Sequence, residues 1–149
     1  MGPLVIDVLD ASALIATLND EPSGSEVLAV IRQGAAAISG ANLAEAIDIL
    51  VRRHRVDEPL LRSILGPVLD ESVTVVAVDE SIAWAGAAIR ARRYHRSRSP
   101  LSLGDCLLLA TAATREGRVR TSDRDVIAAA RAEGLEVIPL PDSAGRRPS

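Results

Sequence analysis

Four carboxylates stand out by position: Asp10, Glu45, Asp105 and Asp123. Each falls at or within the first turn of a segment patterned as a helix. Carboxylates gathered in one place can hold a divalent cation or exchange protons with a substrate. A simpler use is also open, because an acid at a helix start caps free backbone N–H groups. Asn42-x-x-Glu45 and Ser102-x-x-Asp105 have capping-box spacing or nearly so, and Asp10 and Asp123 suit plain N-caps. Taken singly, each acid fits either use.

The elements around them decide how the four relate. Short β-branched runs at 4–9, 35–39, 73–78, 119–121 and 136–139 read as strands, and helical patterns separate them. Strands alternating with helices predict an α/β fold, a single domain with a mainly parallel central sheet and helices on both faces. Right-handed crossovers place the carboxyl ends of parallel strands on one edge, where such folds bind ligands. Asp10, Glu45 and Asp123 each follow a predicted strand, so they should crowd that edge. Asp105 follows a loop and is not placed by this rule. It opens the most apolar helix of the chain, Leu103 to Ala113, which should be buried on several sides.

Four like charges in one pocket would raise one another's pKa values. A hard divalent cation is the natural partner, Mg²⁺ or Mn²⁺. Zinc is disfavoured, because Cys106, His54 and His95 are scattered.

Composition narrows the chemistry. The chain has 149 residues, enough for one domain with a sizeable core. Its 17 basic residues are all Arg, so lysine-dependent mechanisms are excluded. A net charge of −3 argues against a broad nucleic-acid coat but allows a local basic groove. With no Phe, the core must be built from Val, Leu, Ile and Ala. One cysteine, no signal peptide and no membrane-spanning run fit a cytoplasmic protein. Domain limits are expected at 1–141, with 142–149 as a disordered tail.

At these motifs the chain resembles the PIN-domain nucleases. The resemblance is carried by Val8-Leu-Asp10-Ala-Ser12, Asn42-Leu-Ala-Glu45, Leu103-Gly-Asp105-Cys-Leu-Leu-Leu-Ala110 and Thr121-Ser-Asp123-Arg-Asp125, and it runs from Val5 to Pro139. Length and simple domain organisation make it most similar to the VapC toxins of VapBC toxin–antitoxin modules. The resemblance implies a Mg²⁺- or Mn²⁺-dependent endoribonuclease that cuts a structured RNA such as tRNA or rRNA. It also implies a cognate VapB-type antitoxin and a homodimer. Metal-binding and catalytic roles carry over to Asp10, Glu45, Asp105 and Asp123, with hydroxyl support from Ser12 and Thr121. Asp125 could share or take the fourth role.

Two rivals remain. One is a PIN-like binding scaffold whose activity has lapsed. The other, an aspartyl-phosphate phosphotransferase, lacks its positioning lysine, and Asp7-x-x-Asp10 has the wrong spacing for it. The dense basic run 90–98 reads either as a solvated helix end or as an RNA contact through Arg92, Arg93 and Arg96, with Tyr94 as a stacking face. Asp7 is expected at a rim, Gly117 as a helix C-cap and Trp84 in the core or an interface. The Leu60–Val68 stripe reads as core or as a groove for a partner helix.

Overall fold

The computed structural model describes residues 2–149. Five strands form one sheet: β1 (Asp7–Leu9), β2 (Ala36–Ser39), β3 (Val73–Val76), β4 (Arg118–Thr121) and β5 (Val137–Pro139). All neighbours are parallel, in the order β3-β2-β1-β4-β5. The helices are α1 (Ala11–Leu18), α2 (Gly24–Arg32), α3 (Gly40–Asp48), α4 (Glu58–Glu71), α5 (Glu80–Arg93), α6 (Leu103–Thr114) and α7 (Arg124–Ala132), and a π-helical turn (Ile49–Arg53) extends α3.

The alternation of a strand sorts its side chains to two faces. Leu9, Ala36, Ile38 and Val73 join Leu14, Val27, Leu50 and Leu61 in a core on the α1–α4 side. Val8, Ala37, Val76 and Val119 join Ile82, Leu108, Leu109 and Val126 on the α5–α7 side. The apolar helix α6 is central, as its composition requires: Cys106, Leu108, Leu109, Ala110 and Ala112 are fully buried. Leu103, at its start, is half exposed. The α4 stripe divides, with Leu61 and Leu65 buried and Leu60 and Ile64 exposed. Trp84 lies on the surface rather than in the core.

Two local expectations change. Asp7 is buried and not at a rim, because Arg118 and Arg120 of the neighbouring strand enclose its carboxylate at 2.7 and 3.1 Å. Gly117 does not cap α6 in a left-handed conformation; Glu116 takes that conformation, with φ of 50°. Glycine is needed at 117 because a Cβ there would lie 2.8 Å from the Ile6 carbonyl oxygen. Past β5, the Asp142 carboxylate accepts from the backbone N–H groups of Ala144 and Arg146, and Arg147 pairs with Glu26 of α2.

Candidate functional site

From the central strand β1 the chain crosses to β2 and β3, then returns to β4 on the other side of β1. The switch in direction leaves a crevice at the carboxyl ends of the middle strands. A cleft of about 340 Å³ lies there, lined by Asp10, Ser12, Asn42, Glu45, Asp105 and Asp123, with Ile49 and Ser122 at its margins. Four helix starts converge on it. Asp10 follows β1 and caps α1, Glu45 lies in the second turn of α3, and Asp123 follows β4 and caps α7. Asp105 lies in the first turn of α6.

Capping and site formation prove compatible, because a carboxylate has two oxygens. Asp105 completes a capping box: its Oδ2 accepts from the Ser102 N–H at 2.8 Å, and its own N–H donates to Ser102 Oγ at 3.0 Å. Its Oδ1 has no hydrogen-bond partner among the described residues. Asp123 caps through Oδ1, which accepts from the N–H groups of Asp125 at 2.8 Å and Val126 at 3.2 Å. Its Oδ2 is likewise unbonded among the described residues. Each acid therefore holds its helix with one oxygen and keeps the other without a partner among the described residues.

Asp10 is the buried member, and both its oxygens are engaged. Oδ1 accepts from Ser12 Oγ at 2.8 Å and from the Ala13 N–H at 2.7 Å. Oδ2 accepts a short hydrogen bond from the Thr121 hydroxyl, which in turn accepts from the Asp123 N–H at 3.1 Å. Burial pushes the Asp10 pKa up, and the nearby Asp105 charge adds to this; the bonds from Thr121, Ala13 and Ser12 oppose it. No cation of the described chain pairs with Asp10.

In the sequence Asn42 stood out as a possible cap and as the first residue of the Asn42-Leu-Ala-Glu45 motif, without a role of its own, yet it links α3 to α6 beside the cleft. The cap of α3 is Ser39, so the helix starts directly at the end of β2. Asn42 is buried in the first turn; its Oδ1 accepts from Ser39 Oγ at 2.6 Å. Its Nδ2 donates to Glu45 Oε2 at 3.2 Å and to the Gly104 carbonyl at 3.3 Å. Glu45 lies close against Gly104, where a Cβ would come within 3.1 Å of Oε2. Asn42 thus fixes Glu45 and docks α6 beside α3. Its signal in the sequence was a lone amide three residues before an acid, at the end of a strand.

Asp125 is half-buried in the first turn of α7 and does not line the cleft. Nor do the three arginines. Arg92 and Arg93 both pair with Glu133 at 3.1 Å, and Arg93 also donates to the Ala132 carbonyl. Arg96 is exposed in the following loop and has no ion-pair partner among the described residues. Cys106, next to Asp105, is buried, and its thiol is pushed up to about 11, which removes it as a nucleophile.

The donor set of the cleft is entirely oxygen, which fits a hard divalent cation. As the side chains stand, no three of the His, Cys, Asp and Glu groups among the described residues are gathered closely enough to hold one. Hydrogen bonds to Asn42, Ser102 and the α7 backbone hold Glu45, Asp105 and Asp123 in these orientations.

A doubly wound α/β domain with an acidic cleft at its switch point is the class that fold and site define. The PIN domain model matches residues 8–138, and the chain belongs to that family. Among solved structures, it is similar to a toxin–antitoxin complex from Klebsiella pneumoniae (TM-score 0.64, 19% identity, covering 89% of this chain and 95% of that one). It is also similar to VapBC2 from Rickettsia felis bound to a DNA fragment from its promoter (0.66, 16%, 90% and 98%). PAE2754 from Pyrobaculum aerophilum is a third (0.62, 22%, 89% and 90%). No curated protein matches by sequence. No described helix is long and apolar enough to cross a membrane.

Proposed function

We propose that this protein is a divalent-metal-dependent endoribonuclease and the toxin of a VapBC-type pair. The observation that supports the reading best is the cleft itself: Asp10, Asp105 and Asp123 at three helix starts and Glu45 in the second turn of a fourth helix, with no ion-pair partner for them among the described residues. Asp10, Glu45, Asp105 and Asp123 would hold Mg²⁺ or Mn²⁺ through oxygen. The ion would supply activation of water near neutral pH and neutralisation of phosphate charge. Ser12 and Thr121 fix Asp10 in one orientation. Asn42 holds Glu45 against the first turn of α6, and the exposed Glu45 and Asp123 flank the opening. A phosphodiester seated here would be cut by in-line attack of water, leaving a 5′-phosphate and a 3′-hydroxyl. No side-chain nucleophile is required.

The toxin reading and its partners, a VapB-type antitoxin and a second copy of the chain, rest on family membership and on the toxin–antitoxin complexes among the similar structures. A tRNA or rRNA substrate is the RNA class proposed.

The test is cleavage of total cellular RNA by the purified protein in Mg²⁺ or Mn²⁺, beside EDTA and Asp105→Asn controls, with the ends mapped. Discrete cuts lost in both controls support the reading. A 2′,3′-cyclic phosphate end would rule out the metal-assisted mechanism. Absence of cuts by folded, metal-binding protein would favour a lapsed scaffold.

A further inference from the structure

The chain has one Trp, one Tyr and no Phe, and both aromatic side chains stand exposed along α5: Trp84 is 73% exposed and Tyr94, the residue that ends the helix, 45%. Tyr94 borders a shallow groove of about 350 Å³ that it shares with Ala87, Arg90, Ala91 and Leu103. The Arg90 guanidinium lies over the Tyr94 ring, 4.6 Å from its centroid, and Arg90 Nε donates to the Leu101 carbonyl at 3.2 Å. The ring is thus anchored while still accessible. Two alanines leave room for a flat group beside it.

The groove and the acid cleft each take one residue from the first turn of α6. Leu103 lines the groove and Asp105 the cleft, with Gly104 between them bonded to Asn42. Past Tyr94 the chain makes a tight loop, closed by paired backbone hydrogen bonds between His95 and Ser99. His95 Nδ1 accepts from the N–H groups of Ser97 and Arg98, which stiffens it further. The loop presents Arg96 and Arg98, both exposed and without ion-pair partners among the described residues. Arg92 and Arg93, by contrast, are occupied by Glu133.

We propose that this groove binds an unpaired nucleobase of the RNA, flanking the nucleotide that is cut. Tyr94 provides the stacking face, and Arg96 and Arg98 meet the adjoining phosphates. A held aromatic ring beside free guanidinium groups matches a flat base on an anionic chain, and this charge complementarity favours RNA over an apolar protein surface. The inference rests on the ribonuclease reading and names a specificity subsite within it.

The probe is a fluorescein-labelled single-stranded oligouridylate. Binding is read by anisotropy in Ca²⁺ with the probe confirmed uncut, and cleavage is read separately in Mn²⁺. Tyr94→Ala is expected to weaken binding roughly 5- to 150-fold, the range for loss of one stacked base. KM should rise while kcat stays near wild type. Tyr94→Phe keeps the ring face and should retain affinity, and a probe with one abasic position should narrow the difference between wild type and Tyr94→Ala. Equal affinity and KM for wild type and Tyr94→Ala would overturn the subsite. So would an effect of Tyr94→Ala on sedimentation alone, which would assign the groove to a second copy of the chain. Binding that depends on Tyr94, with no cleavage in Mn²⁺ of either the oligouridylate or total cellular RNA, would support the subsite and defeat the nuclease reading separately.

Discussion

Asp7 and Asp10 lie three residues apart, at the start of β1 and just beyond its end, and both carboxylates are buried, at 2% and 9% exposure. Their surroundings are opposite. Asp7 is enclosed by two guanidinium groups: Arg118 donates to it through two nitrogens at 2.7 and 3.1 Å, and Arg120 adds a third bond at 3.1 Å. Beyond them the charges continue through Glu26 to Arg147. Asp10 meets two hydroxyls and one N–H, with Asp105 close by. At the amino end of the strand the chain neutralises its own buried charge. At the carboxyl end the buried charge meets only neutral donors among the described residues. A buried acid with cations on hand has its charge balanced within the fold; one supported only by neutral donors does not, which is why Asp10 and not Asp7 enters the proposed site.

Removing the Asp7 carboxylate should have the largest effect on stability. Asp7→Ala strands Arg118 and Arg120 against the sheet, where the Arg120 Nε already lacks a partner. A loss of about 3–5 kcal/mol is expected from breaking a buried pair on one side, read by urea unfolding. A loss under about 1 kcal/mol would show that water already reaches these groups and would erase the contrast.

Asp10→Asn should act in the opposite direction and by less. Burial raises the Asp10 pKa, so the native state binds this proton more readily than the unfolded chain does. Stability therefore falls as pH rises from the ordinary carboxylate value through the raised native value. Metal-free Asp10→Asn, which carries no charge, should melt above wild type at neutral pH. The gap should close on acidification, and added Mn²⁺ should narrow it by stabilising wild type alone. A variant less stable than wild type at every pH would mean that the bonds from Thr121, Ser12 and Ala13 outweigh the burial of charge.

The smallest effect belongs to the rim of the Asp7 network. Arg147 is half exposed, and its pairing with Glu26 should be screened by salt. Arg147→Ala should lower Tm by less than Asp7→Ala, and the difference from wild type should shrink at high ionic strength. A salt-independent drop would show that the C-terminal turn is a packed part of the fold.

Local signals made much of this readable in advance. Asp57, Asp79, Ser102 and Asp123 cap helices where the sequence has capping residues ahead of apolar periodicity. The five β-branched runs became five parallel strands. The convergence of Asp10, Glu45 and Asp123 followed from alternation and crossover handedness. Asp105 did not follow from any local rule, since its approach to Asp10 depends on how α6 docks through the Gly104 carbonyl on Asn42. Arg92 and Arg93 looked free because Glu133, which occupies them, lies about forty positions further along the chain. Tyr94 and Leu103 are nine positions apart, and no pattern in the chain shows that they border one groove.

The sequence by itself determined most helix starts, which faces are apolar and that Asp10, Asp105 and Asp123 stand at element starts, because capping and amphipathic periodicity act within a few residues of chain. Only the tertiary structure decided which charges are answered. Asp7 finds Arg118 and Arg120 across a strand pairing, whereas Asp10 finds Thr121 and no cation. That difference is set by register between segments more than a hundred residues apart, and side-chain pairing across a sheet carries no signature in either segment alone.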